Sequence, residues 1–332
     1  MRKFLIIQTA FIGDVVLATA LAEKLHVYYP HSQIDFLVRK GNESLLDGHP
    51  FVKKIWVWDK KKNKSLNLIK LAIQVRSEAY DDVINVQRFF SSGILTLLSG
   101  AKNTRGFATN PLSAFFRLVK PHSISADGKL HEVARNQQLI CDITDEHYAK
   151  PRLYPSAADE EKVKDLVTQP YICCAPGSVW FTKRYPITHW IAFLQQIPQN
   201  LNVYFIGAKT DIELVDELIV ASGNKKAENW CGKLSFLEST ALMGKSDMNF
   251  VNDSAPLHFA SAINAPVTAL FCSTVPAFGF GPLSDRSIMM ETPEKLTCRP
   301  CGVHGWKKCP LNHFKCGYTI LPERLVAIVN ER

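Results

Sequence analysis

Lys3-Phe4-Leu5-Ile6-Ile7-Gln8-Thr9-Ala10-Phe11-Ile12-Gly13-Asp14-Val15-Val16 decides the class of the chain. Phe4–Ile7 is a short unbroken apolar run, which reads as a strand buried on both faces. A turn with one glycine follows, and residues 14–28 carry an amphipathic helical pattern. A strand, a glycine turn and a helix make the first half of a βαβ unit. A secretory leader would also begin with cations, here Arg2 and Lys3, and close on small residues such as Ala18-Thr19-Ala20. Gln8 and Asp14 interrupt the apolar stretch that a leader needs, so the expected location is cytoplasmic. The nine cysteines then read as reduced thiols, core residues or metal ligands.

The alternation continues outward from this segment. Strands are expected at Phe4–Ile7, Ile34–Val38, Lys54–Trp58 and Asp82–Val86, with helices near 14–28, 65–78 and 90–98. Pro151, Pro155, Asp159-Glu160-Glu161 and Pro170 mark a linker with one helix. A second set begins after it, with strands at Tyr171–Ala175, Val203–Ile206, Met248–Val251 and Val267–Phe271. Its helices fall near 187–197, 210–222, 236–243 and 254–263, and Pro322 opens a terminal helix. The expected fold is therefore α/β, with two doubly wound parallel-sheet domains and a cleft between them. The expected divisions are 1–165, 166–321 and a terminal helix over 322–332.

The 332 residues are 46% hydrophobic and 21% charged, which excludes a disordered chain and a coiled coil. No stretch reaches the roughly eighteen apolar residues of a membrane-spanning helix. The net charge is +8. Residues 1–165 hold 24 basic and 18 acidic residues, so the excess concentrates in the first domain. An anionic partner fits this balance, but nucleic acid is weakly supported. Lys60, Lys61, Lys62 and Lys64 read as ordinary solvated lysines.

Five segments carry candidate chemistry. Gly13-Asp14 follows the first strand at the carboxyl edge of its sheet, where ligands bind. Asp14 suits a general base for an attacking hydroxyl, or a helix cap. A dinucleotide fingerprint needs G-x-G-x-x-G, and only Gly13 is present. Pro176-Gly177-Ser178, with Thr182-Lys183-Arg184 beyond, suits a diphosphate or a plain polar loop. Asn252-Asp253-Ser254-Ala255-Pro256-Leu257-His258 opens a helix whose amino end favours anions, with Ser254 as its cap and Asp253 near sugar hydroxyls. Cys298, Cys301, Cys309 and Cys316, in a loop over 298–316, fit either a structural zinc site or reduced thiols. Residues 109–121 mix apolar and basic side chains at near-helical spacing, which fits a core helix or a membrane-surface contact.

Together these segments resemble glycosyltransferase family 9, the lipopolysaccharide heptosyltransferases, from Phe4 to about Pro322. The matching pieces are Phe11–Val16, Ile34–Val38, Pro176–Ser178 with Trp180 and Thr182–Pro186, Cys231-Gly232-Lys233, and Asn252–Ser254 with Pro256 and His258. The resemblance implies a GT-B fold: two Rossmann-like domains, the first taking the acceptor and the second a nucleotide sugar. It implies an inverting transfer of a heptose from ADP-heptose to a lipopolysaccharide inner core, with no cofactor required for catalysis. A structural zinc is the one metal the cysteines suggest. The partners implied are the nucleotide sugar and an anionic lipid-linked oligosaccharide, met at the cytoplasmic face of the inner membrane by peripheral contact.

The resemblance makes Asp14 the base, with Gly13 beside it on the acceptor side, and Lys183 a contact to the donor phosphates. Ser178 and Thr182 become phosphate neighbours. Asp253, Ser254, Ala255 and His258 form the donor turn, and Lys233 and Leu234 hold the adenine. Ala255 stands where the family has glycine, Gln8 where a basic residue is common, and Cys272 and Phe280 where a glycine and a threonine are usual. Lys209 occupies an acidic ribose contact, for which Asp211 is the substitute. These departures leave two alternatives: a GT-B protein that is non-catalytic or uses another donor, and an NAD-type oxidoreductase.

Overall fold

A computed structural model describes residues 1–61 and 64–331. Lys62, expected as a solvated lysine, lies outside the described residues, as does the side chain of Lys64; Arg332, the last residue of the expected terminal helix, lies outside them too. The chain forms two compact units, Met1–Ser123 with Leu130–Tyr154, and Ile124–Lys129 with Pro155–Arg332. The main division falls between Tyr154 and Pro155, about ten residues before the expected boundary. The short excursion 124–129 is grouped with the second unit, which no composition signal marks.

The first unit holds a parallel six-stranded sheet ordered β3-β2-β1-β4-β5-β6. Its strands are β1 (Lys3–Ile7), β2 (Gln33–Arg39), β3 (Val52–Trp58), β4 (Asp82–Asn85), β5 (Asn103–Phe107) and β6 (Leu118–Lys120). Its helices are α1 (Ile12–Tyr28), α2 (Lys64–Ser77), α3 (Phe90–Leu98) and α4 (Glu132–Gln137). Phe4, Leu5, Ile6 and Ile7 are fully buried, as a central parallel strand requires. Leu5, Ile7, Leu37, Leu68, Leu71, Ala72, Val75 and Leu95 close a core between the sheet and α2–α3.

The second unit repeats the plan as β12-β11-β10-β7-β8-β9. Its strands are β7 (Tyr171–Ala175), β8 (Asn202–Phe205), β9 (Ala227–Asn229), β10 (Met248–Asn252), β11 (Val267–Phe271) and β12 (Ser287–Glu291). Its helices are α5 (Ala157–Val163), α6 (Ile187–Gln196), α7 (Ile212–Ser222), α8 (Phe236–Gly244), α9 (Ala255–Ala262), α10 (Lys315–Tyr318) and α11 (Pro322–Asn330). The terminal helix α11 buries Leu325, Ile328 and Val329 in the second unit's own core, beside α6 residues Trp190, Phe193 and Leu194. Its apolar face is committed there.

Chain order reverses once in each sheet, between β1 and β4 in the first and between β7 and β10 in the second. Loops diverge at such points and leave a crevice beyond the strand ends. Asp14 follows β1, while Lys183 and Asp253 follow β7 and β10. Residues 109–121 form no long helix: a single 3-10 turn (Ser113–Phe115) leads into the edge strand β6.

Candidate functional site

In the first unit, Asp14 is the third residue of α1, and its Oδ2 accepts from the Phe11 backbone N–H at 3.1 Å. The capping role weighed from sequence is therefore present in the geometry, with Gly13 half-buried beside it. Gln8 is buried and its Oε1 accepts from Ala10 N at 3.1 Å and from the Gln87 amide. Asn85 Nδ2 and Gln87 Oε1, at the end of β4, are buried and find no hydrogen-bond partner among the described residues. Such orphans are uncommon in folded chains, and these two lie where the sheet order reverses. Sequence reading missed Gln87 and Asn85, because an amide at the end of an apolar strand carries no motif. Lys60, expected to be solvated, instead donates to Thr9 O at 2.8 Å and Thr9 Oγ1 at 3.0 Å, above the Trp58 ring. The β1–α1 turn is thereby held from the segment that follows β3, two strands away in the sheet.

In the second unit, Lys183 Nζ lies 2.7 Å from Asp253 Oδ2, and both side chains are largely buried. Thr274 Oγ1 donates to the same carboxylate oxygen at 2.6 Å. Asp253 is fixed by its backbone, which donates to Leu270 O at 3.1 Å as β10 leaves the sheet. Asn252 ties the two loops together: its Nδ2 donates to Pro176 O at 2.7 Å and its Oδ1 accepts from Tyr185 N at 3.0 Å. A cation and a carboxylate are thus held at the switch point, beside the amino end of α9.

Ser254 occupies the N-cap position of α9, but its hydroxyl does not cap the helix; it donates to Asn252 O at 3.4 Å. Pro256 has no N–H, and Leu257 N donates to Ser254 O at 3.1 Å. The main-chain donors of this helix end are therefore those of Ser254 and Ala255. His258 is buried one turn on, its ring edge-on to Phe280 with centroids 6.5 Å apart.

Thr182 is buried, and its hydroxyl accepts from Trp306 N at 2.8 Å and from Ser273 Oγ at 2.9 Å. Its role in the fold is to pin the loop that carries Lys183. Arg184 Nε donates to Ser178 O at 2.7 Å, which shapes the Pro176–Ser178 turn while leaving the Ser178 hydroxyl out of that bond. A Cβ placed on Gly177 would lie 2.5 Å from Asp211 Oδ2, and one on Gly207 2.8 Å from it. Only glycine lets this carboxylate sit over the ends of β7 and β8. Lys233 reaches over the Trp230 ring at 5.3 Å, and Leu234 is half-buried beside it.

The four cysteines of the loop over 298–316 lie near one another, close enough that Cys298, Cys301 and Cys309 each raise the Cys316 thiol. Among the described residues no three His, Cys, Asp or Glu side chains are placed to hold a metal ion. Cys316 is buried in the apolar core, and burial together with the neighbouring thiols pushes its pKa up to about 12. Cys309 accepts from Phe314 N at 3.4 Å, and Cys298 Sγ is 3.8 Å from His313 Nε2. The loop braces the site. Arg299 donates to the carbonyls of Phe271, Cys272 and Thr274 and to Glu291, and Cys301 N donates to Ser273 O at 2.9 Å. This holds the turn that presents Thr274 to Asp253. Sequence spacing left a structural zinc and reduced thiols both open, and no motif reading singles out Arg299.

Two parallel six-stranded sheets, each with a polar site where its order reverses, make an α/β fold of the GT-B kind. The family model of glycosyltransferase family 9 (heptosyltransferase) matches residues 68–307, and the chain belongs to that family. Lipopolysaccharide heptosyltransferase 3 of Escherichia coli is 25% identical over 279 residues, spanning 80% of this chain and 82% of that one. The structure of E. coli ADP-heptose lipopolysaccharide heptosyltransferase II superimposes with a TM-score of 0.81 at 20% identity, covering 100% of this chain and 98% of that one. E. coli heptosyltransferase WaaC with ADP-2-deoxy-2-fluoro heptose gives 0.72 at 17% identity, with 99% of each chain covered.

Proposed function

We propose that this glycosyltransferase moves a heptose from ADP-heptose to a hydroxyl of a lipopolysaccharide inner-core acceptor, with inversion at the anomeric carbon. The observation that carries the donor half is the Lys183–Asp253–Thr274 arrangement beside the start of α9. Lys183 supplies positive charge for a diphosphate, and the N–H groups of Ser254 and Ala255 add partial charge. Asp253 sets the position of Lys183 and accepts from sugar hydroxyls. Asp211 takes the ribose, Lys233 and Leu234 border the adenine, and Ser178 and His258 complete the donor side.

The reaction is a single displacement. The acceptor oxygen forms a bond to C1 as the C1–O bond to the diphosphate breaks from the opposite face. Asp14 takes the hydroxyl proton, with Gly13 leaving room beside it. Positive charge develops on the sugar ring, and Lys183 with the amino end of α9 stabilises the departing ADP. No cofactor enters this scheme. The acceptor's lipid places the reaction at the cytoplasmic face of the inner membrane.

The test is calorimetric titration with ADP, ADP-heptose, UDP-sugars and GDP-sugars, followed by a transfer assay. Selective ADP and ADP-heptose binding with turnover on an inner-core acceptor is the expected result. Asp14→Ala should abolish transfer while ADP binding stays within about twofold. Binding of another nucleotide sugar changes the donor, and silence from all of them overturns the reading in favour of a non-catalytic protein.

A further inference from the structure

The inner face of α2 buries Leu68, Leu71, Ala72 and Val75 against the sheet. Its outer face carries a second apolar row. Leu66, Ile69 and Ile73 recur at helical spacing and are 61%, 52% and 65% exposed. The adjoining helix α3 contains no charged residue, and it leaves Phe90 and Leu98 exposed at 56% and 43%. Single exposed apolar residues are ordinary, but a row on one helix beside more on its neighbour is not.

The charged side chains on these two helices have one sign. Lys70 and Arg76 of α2 are exposed, and exposed Lys61 precedes the helix beside Asp59, whose carboxylate pairs with Lys40 at 3.1 Å. Neither α2 nor α3 contains a carboxylate. Between Lys60 and Asp127 the only acidic residues are Glu78, Asp81 and Asp82. Each is already neutralised: Glu78 by Lys54 at 2.6 Å, Asp81 by Lys102 at 2.7 Å, and Asp82 by Arg2 at 2.7 Å and Arg105 at 3.0 Å. All three cluster at the amino end of β4. A helix with an apolar outer row, flanking cations and no carboxylates has the chemistry of a segment lying in a bilayer interface. At fourteen residues α2 is too short to span one.

We infer that the outer faces of α2 and α3 are a docking surface for an anionic phospholipid bilayer. Ile69 and Ile73 enter the acyl boundary, and Lys70 and Arg76 meet the headgroup phosphates. The inference deepens the proposed function and rests on its lipid-linked acceptor for its purpose, but its physical content is independent of turnover.

The test is co-sedimentation of the full chain with vesicles, without donor or acceptor. Vesicles of phosphatidylglycerol and phosphatidylethanolamine should bind it, vesicles of phosphatidylcholine should bind it far less, and added salt should release it. Ile69→Ser with Ile73→Ser should weaken binding roughly tenfold or more. Lys70→Glu should weaken it roughly tenfold through charge alone. Both variants change exposed residues, so thermal midpoint and ADP binding should match the parent. The inference is overturned if the parent binds no vesicles, if neutral vesicles bind equally, or if the variants bind as the parent does. It is also overturned if the double serine variant abolishes a concentration-dependent dimer, since a second copy would then own this face. A wrong acceptor assignment shows differently, as vesicle binding without transfer to lipopolysaccharide.

Discussion

Lys183 is the residue on which the donor reading turns. Its ammonium group is held by a largely buried carboxylate, so it is positioned before any ligand arrives, and ordering it costs little on binding. Charge-assisted bonds to a phosphate are each worth about 1.5–3 kcal/mol. Lys183→Ala should therefore weaken ADP binding roughly ten- to hundredfold in Kd. Calorimetry reads this directly, and unchanged affinity would remove Lys183 from the phosphate site. The same variant leaves Asp253 buried without its cation, so a lower thermal midpoint should accompany the loss. Asp253→Asn separates the two effects: the Thr274 bond is preserved in form while the charge is removed.

The loops after β7 and β8 are coupled through Gly177, Gly207 and Asp211. Gly177→Ala would drive a methyl group into the Asp211 carboxylate, which must swing aside and give up its bond from Ala208 N, at about 0.5–1.5 kcal/mol. Replacing Asp211 by alanine should relieve most of that cost, and urea unfolding of the four proteins in a double-mutant cycle would show it as non-additivity. Additive costs would mean the contact is not the reason for glycine there. The same elements show what was readable in the residue pattern. β1 and β7 are apolar runs, and β2, β4, β10 and β11 are short apolar stretches interrupted or ended by single polar residues such as Asp35, Asn85, Asn249 and Thr268, while the helices after them announce themselves by period. β5 was missed because Asn103, Thr104 and Arg105 look like a loop; Arg105 is buried only because Asp82 and Asp142 receive its guanidinium. β6 and β9 are three residues each, too short for any pattern to emerge. In the second site, Lys183 and Asp253 were legible from position alone. Thr274 and Arg299 were not, and Asn252 was quoted in the motif without its role, since the importance of all three lies in partners distant in sequence.

For the molecule as a whole, the two units carry separate cores, and the first closes on a buried charge cluster. Glu132 accepts from Arg135 Nε at 2.8 Å and meets His122 Nε2 at 3.1 Å. Burial pushes the Glu132 carboxyl up, but His122 and Arg135 outweigh it and hold it below the usual 4.5. A carboxylate with a lowered folded pKa contributes stability above its unfolded pKa and loses it as pH falls through the folded value. Glu132→Gln should cost about 1–3 kcal/mol at neutral pH. Its thermal midpoint should also fall less than the parent's as pH drops from about 5 to about 3. Parallel pH profiles would show that the cluster is not a source of acid sensitivity.

His122 and Glu132 also stand at the two stems of the excursion Ile124–Lys129, the segment grouped with the second unit. Gly128 approaches Ala277 so closely that an added Cβ would sit 2.9 Å from its carbonyl oxygen. The polypeptide therefore passes between the units three times, after Ser123, after Lys129 and after Tyr154. A protease that nicks one connection leaves two others intact, and the halves stay tethered. A truncated gene starting at Pro155 would encode the second unit without six of its residues, so a faithful isolated half has to be built as a permuted or two-piece protein.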